Sequence, residues 1–138
     1  MAEVMMRKML GDRNDIQVSS AGLFTLEGMR ANELAIRTMA KEGADLVQHR
    51  SRQLTKKMVD DADLIVVMTE DHRKMIGRLA KYALDKVFLL TEFEEDQKIR
   101  KRDIPDPIAQ PLEAYESCLA QMKSPIANLV LKMIQKEI

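Results

Sequence analysis

The 138-residue chain is the length of one domain with a single hydrophobic core, too short for two domains and a linker. Its 22 Lys and Arg balance 22 Asp and Glu, so no net field gathers nucleic acid or an anionic membrane surface, and neither is expected as a partner. At 46% hydrophobic and 32% charged residues, the composition excludes disordered and collagen-like classes.

Ala2, Met5, Met6, Met9 and Leu10 recur three and four apart, the stripe of a short amphipathic helix that Gly11-Asp12 ends. Ile16-Gln17-Val18-Ser19-Ser20 alternates apolar and polar residues and predicts a small strand broken at Ala21-Gly22. Residues 30–42 read as a second helix, with Gly43 where a C-terminal cap belongs. After the loop His49-Arg50-Ser51-Arg52-Gln53-Leu54, Thr55 caps a short helix running to Ala62.

Leu64-Ile65-Val66-Val67-Met68 is an unbroken apolar run, expected to be a central parallel strand covered on both faces. Thr69 caps a further helix with Met75, Ile76, Leu79, Ala80 and Ala83 on one face, and Lys86-Val87-Phe88-Leu89-Leu90 is the next buried strand. Residues 91–111 form one long charged loop closing on Asp103-Ile104-Pro105-Asp106-Pro107. The last segment, from Leu112 to Ile134, is helical in pattern, with a kink or a restart capped by Ser124 expected at Pro125. Alternating strands and helices predict an α/β fold, a small doubly wound parallel sheet with helices on both faces and ligands at the carboxyl ends of its strands.

One cysteine and two histidines supply neither an internal disulfide nor a Cys/His zinc site, so neither staple is expected. No apolar run reaches the ~20 residues that span a bilayer, and the first residues carry no signal-peptide pattern; a reducing, cytoplasmic setting is expected. Eleven Met beside five Phe and Tyr and no Trp fit a Met-filled interior or an adaptable surface.

The prolines around Asp106 stiffen its loop, so Asp103 and Asp106 are presented outside any helix. They either serve proton transfer or only start a turn in a rigid solvent loop. Cys118 lies on the apolar face of the last helix without a cationic neighbour and reads as a packed core cysteine. His49, beside Arg50 and Arg52, has a hydrogen-bonded structural role as its default; His72 and the charge blocks of residues 92–102 read as solvated.

Met1-Ala2-Glu3, Ser19-Ser20-Ala21-Gly22, His49-Arg50-Ser51-Arg52-Gln53-Leu54-Thr55, Ala62 to Met68, Lys86 to Leu90 and Asp103 to Pro107, in this order, closely resemble the low-molecular-weight protein tyrosine phosphatase family, including its bacterial protein-arginine-phosphatase branch. The resemblance implies a metal-free, cofactor-free hydrolase acting on phosphorylated protein or a small phosphate ester. It also implies a Cys-x5-Arg loop whose thiolate attacks phosphorus. By that resemblance Asp106 is the general acid, Ser20 and His49 belong to a network supporting the phosphate loop, and Asp103 supports the loop that carries Asp106. Ile108, Ala109 and Gln110 depart from the aromatic residue and glycines usual after the Asp-Pro pair.

The resemblance places the first strand and the Cys-x5-Arg loop before the Met-Ala-Glu triplet. Residues 1–138 are therefore expected to be a single phosphatase-like domain that is N-terminally truncated, with one interior strand lacking between the strand ending at Ser20 and the one ending at Met68. Two unpaired edges would then face each other, predicting a poorly soluble or molten chain. The alternative is a non-catalytic pseudophosphatase or binding module completed by a partner's strand. Arsenate reduction on a related scaffold would need more cysteines than Cys118. Oligomeric state is not legible in the sequence.

Overall fold

The computed structural model describes residues 1–138. Five α-helices, α1 (Ala2–Leu10), α2 (Glu33–Lys41), α3 (Lys56–Asp61), α4 (Glu70–Leu79) and α5 (Leu112–Ile134), accompany strands β1 (Ile65–Val67) and β2 (Val87–Leu89) and 3-10 helices over Lys81–Lys86 and Leu90–Phe93. Local chemistry sets most of these boundaries. Asn32 Oδ1 accepts from Leu34 N at 2.8 Å, Thr55 Oγ1 from Met58 N at 3.2 Å and Thr69 Oγ1 from His72 N at 3.1 Å, so α2, α3 and α4 each start on a side-chain cap. Gly43, at φ 70°, closes α2 in the left-handed region that a side chain disfavours.

β1 and β2 pair in parallel, Ile65 with Val87, Val66 with Phe88 and Val67 with Leu89. Successive residues of β1 face opposite sides. Val66 packs against a cluster of 14 buried residues drawn largely from α1, α2 and α5, including Met5, Met39, Leu119 and Ile126. Ile65 and Val67 belong to the other face, a cluster of seven buried residues with Val59 of α3 and Ile76 of α4 at its centre. Helices therefore cover both faces of a parallel sheet, as expected of the α/β class. Ile126, with no exposed surface, and Leu119, at 3%, anchor α5 against the larger cluster, each side chain worth ~1.5–3 kcal/mol of burial.

Several expectations need correction. Residues 16–20 form no strand: Val18 and Ile16 pack on the larger cluster, but the backbone pairs with no ladder. Its carbonyls are taken by guanidinium groups instead, Arg7 Nε donating to Val18 O at 3.1 Å and Arg52 to Ser20 O at 3.3 Å. Accordingly β1 is not central; its one ladder is with β2, and just past its end Ile104 N donates to Met68 O at 2.9 Å. α2 begins at Glu33 rather than residue 30 because Asn32 provides the cap.

The helix after Thr69 stops at Leu79, and Ala80 and Ala83 reach the smaller cluster from the 3-10 turn that follows. α5 passes through Pro125 without a restart. Ser124 does not cap it; its Oγ donates to Glu94 Oε1 at 2.9 Å, tying α5 to the long loop. Pro125 has no N–H to donate to the carbonyl of Gln121 one turn back, and Gln121 is an exposed residue.

Candidate functional site

The first turn of α1 gathers the site. Glu3, at 13% side-chain exposure, receives a short hydrogen bond from Ser20 Oγ on Oε2, while His49 Nδ1 lies 3.5 Å from the same oxygen. Its Oε1 is 2.9 Å from Arg7, one helical turn on. A cleft of about 370 Å³ opens here, lined by Glu3, Ser20, His49, Arg50 and Arg52 among others. Residues 17 and 46 positions away are thus assembled on one carboxylate. Ser20 and His49 come together on Glu3. Their shared partner Glu3 was not singled out from sequence, where its only signal was its place in the Met1-Ala2-Glu3 triplet. Arg52 and Arg7 border the same cleft while holding the carbonyls of Ser20 and Val18.

The second component is the Asp103–Pro107 loop. Asp103 Oδ1 accepts from Glu70 N, in the first turn of α4, at 2.9 Å, where the helix dipole favours a carboxylate. Ile104, 2% exposed, is buried in the larger cluster, and its N–H binds Met68 O. Loop and strand end are thereby fixed to each other. Asp106 is exposed between its two prolines, and Oδ1 accepts from Ile108 N at 3.0 Å, closing a turn on itself. Both readings of this loop taken from sequence, proton transfer and turn start, are compatible with that geometry. Ile108 is 67% exposed, and Ala109 adopts φ 60°.

Cys118 and Tyr115, one helical turn apart on α5, lie behind this loop. Burial pushes the Cys118 thiol above its ordinary value, and the Asp106 carboxylate adds to the shift. Burial likewise raises the Tyr115 phenol, again with Asp106 contributing. A buried thiol held protonated is the opposite of an activated nucleophile, in keeping with the core role expected for Cys118. His72, expected to be solvated, is half-buried in the first turn of α4.

The sequence matches, over residues 1–138, the family described as low molecular weight phosphotyrosine protein phosphatase. The chain belongs to this family. Among its relatives, a probable low molecular weight protein-tyrosine-phosphatase, EpsP of Ralstonia solanacearum, is 34% identical over 123 residues, covering 89% of this chain and 79% of the relative. A protein-arginine-phosphatase of Geobacillus stearothermophilus is 33% identical over 118 residues, 86% of this chain and 77% of that protein. Solved structures agree in fold. The YwlE arginine phosphatase from Geobacillus stearothermophilus superposes with a TM-score of 0.88 at 29% identity, covering 99% of this chain and 84% of that one. Vibrio vulnificus Wzb in complex with benzylphosphonate gives 0.83 at 29% identity over 95% of this chain and 87% of that one. The phosphatase fold of this chain thus presents, on one side, the Glu3–Ser20–His49 group and, behind the Asp106 loop, a cysteine that is buried and protonated.

Proposed function

We propose that residues 1–138 are the greater part of a low-molecular-weight protein phosphatase that hydrolyses phosphotyrosine or phosphoarginine on proteins through a cysteinyl-phosphate intermediate. The observation that carries this reading is the loop Asp103–Pro107, which holds Asp106 exposed on a stiff, twice-anchored segment at the carboxyl end of β1. A thiolate attacks phosphorus and the bond to the tyrosyl oxygen or guanidino nitrogen breaks, while Asp106 gives its proton to the leaving group. Asp106 then accepts a proton from the water that attacks the phosphoenzyme, and the thiolate leaves. Glu3, Ser20 and His49 form the network that steadies a phosphate-binding loop at the N-terminus of α1, where backbone N–H groups and the helix dipole favour an anion.

The thiolate does not come from Cys118. It is the only cysteine, it is buried, and Ser124 rather than arginine stands six residues after it. The reading therefore requires a Cys-x5-Arg element outside residues 1–138.

A second reading, a non-catalytic domain completed by a partner's strand, is favoured by the same buried Cys118. One experiment separates them: phosphate release from phosphotyrosyl and phosphoarginyl peptides, measured for the 138-residue chain and for a chain carrying the in-frame residues encoded upstream of Met1. The phosphatase reading expects turnover in the extended chain only, falling about 10²-fold or more in Asp106→Asn. An upstream sequence without a Cys-x5-Arg loop, or turnover indifferent to Asp106→Asn, overturns it.

A further inference from the structure

Besides the Tyr115 phenol and the Cys118 thiol, the buried polar side chains are those of Thr38 and Thr91. Thr38 serves only its own helix, its hydroxyl donating to Leu34 O one turn back at 2.8 Å. Thr91 does something else. It sits at the carboxyl end of β2, 2% exposed, and its hydroxyl donates across 11 residues to Arg102 O at 2.5 Å. Its own carbonyl accepts from Glu94 N at 3.1 Å and from Lys101 N at 3.4 Å. Lys101 stands at φ 65°, a conformation that a residue with a side chain keeps only when its surroundings hold it.

The contacts around Thr91 close a ring. Arg73 of α4 binds the carboxylate of Glu92, which also accepts from Leu89 N at 2.7 Å and so fixes the residue next to Thr91. Thr91 holds Arg102 O; the following residue, Asp103, returns to α4 by accepting from Glu70 N at 2.9 Å. Ile104 then binds the end of β1 through Met68 O. Asp106 is two residues further on, beyond Pro105, whose ring fixes φ and passes a displacement along rather than absorbing it.

We propose that the Thr91 hydroxyl is a positioning residue for Asp106: by holding Arg102 O inside the ring through α4, it sets where the Asp103–Pro107 loop presents its carboxylate. This rests on the reading of Asp106 as general acid. Without the hydroxyl, Arg102 O loses its buried donor and the turn at Lys101 relaxes. Asp106 is then no longer held within the fraction of an ångström that proton transfer to a leaving group needs.

Two substitutions isolate the hydroxyl. Thr91→Val keeps the shape and removes the donor, and Thr91→Ser keeps the donor. In the 138-residue chain, amide hydrogen exchange is expected to quicken in Thr91→Val at Glu70, Ile104 and Ile108, with α2 and the α1-facing part of α5 unchanged and Thr91→Ser close to wild type. Uniform acceleration, or none, overturns the proposal.

In the extended, active chain, kcat/KM is compared for phenyl phosphate, whose leaving group needs a proton, and 2,4-dinitrophenyl phosphate, whose leaving group does not. Thr91→Val is expected to lose about tenfold on the first and little on the second, with recovery in Thr91→Ser. An equal loss on both means a merely structural threonine and overturns the proposal. A wild-type chain without activity on either substrate defeats the phosphatase reading and, with it, the role given to Asp106, whereas the exchange measurement still reports whether Thr91 holds the loop.

Discussion

Residues 16–20, apolar at alternate positions, and the continuously apolar pair β1–β2 both read as strands in the sequence, yet only the pair forms a ladder. In β1 and β2 the facing backbone groups pair with one another, and Val67, Val87 and Leu89 are buried in the cluster of seven. In 16–20 the side chains of Ile16 and Val18 find the larger cluster, while the carbonyls of Val18 and Ser20 accept from Arg7 and Arg52. Period-2 patterning therefore reports which side chains are buried, not whether the backbone has a strand beside it. The guanidinium contacts meet two of the acceptors that an unpaired edge would expose, on the side where the sequence led us to expect a gap.

If this contrast is right, truncation on the two sides should differ most. Leu89→Ala removes a 3% exposed side chain from the cluster of seven and is expected to cost ~2–5 kcal/mol in urea unfolding. Val18→Ala, at a half-buried site, should cost ~1 kcal/mol; equal losses would break the comparison. The next effect tests the guanidinium directly. Arg7→Met keeps the apolar stem but removes the donor to Val18 O and the contact with Glu3, and should lower stability by ~1 kcal/mol, discounted for an exposed group. A melting temperature identical to wild type would show that solvent serves Val18 O equally well.

A smaller gain is expected from Ala109→Gly, which relieves the φ 60° conformation next to the Asp106 turn at the expense of a more flexible unfolded chain. The net is ~0.5–1 kcal/mol of stabilisation, read as a raised melting temperature. A lower one would show that the Ala109 methyl group packs better than its backbone strains.

The last effect concerns pH. Cys118 and Tyr115 both have folded-state values above their ordinary 9.0 and 10.0, because burial disfavours their anions. The unfolded chain loses these protons first, so the stability they contribute is complete below about pH 9 and drains away as pH rises through the folded values. Unfolding midpoints at pH 8 and pH 10 test this, with Cys118→Ala flattening part of the decline. A midpoint that holds or rises at pH 10 contradicts it.

Much of the scaffold was legible in advance. Thr55, Thr69 and Gly43 mark helix ends because capping is a contact within three residues, and Asn32 caps α2 in the same way. The continuous apolar runs at 65–67 and 87–89 read as buried strands because both faces are covered. At Ser124 the same local reasoning failed. A serine before proline is a good cap in isolation, but Glu94, 30 residues away, takes its hydroxyl, and burial of Pro125 and Ile126 carries α5 through.

For the candidate site, the sequence by itself determined the stiff Asp103–Pro107 loop and a lone cysteine on an apolar helix face, and its family resemblance pointed to Ser20, His49, Asp103 and Asp106 as candidates. Only the tertiary structure decided the partnerships. Glu3 joins Ser20 and His49, Asp103 joins the start of α4, and Thr91 joins Arg102, across 17, 46, 33 and 11 residues respectively. The reason is physical. A cap or an apolar stripe is set by neighbours along the chain, whereas a carboxylate or hydroxyl takes whichever donor or acceptor the packing of helices on both faces of the sheet brings within reach.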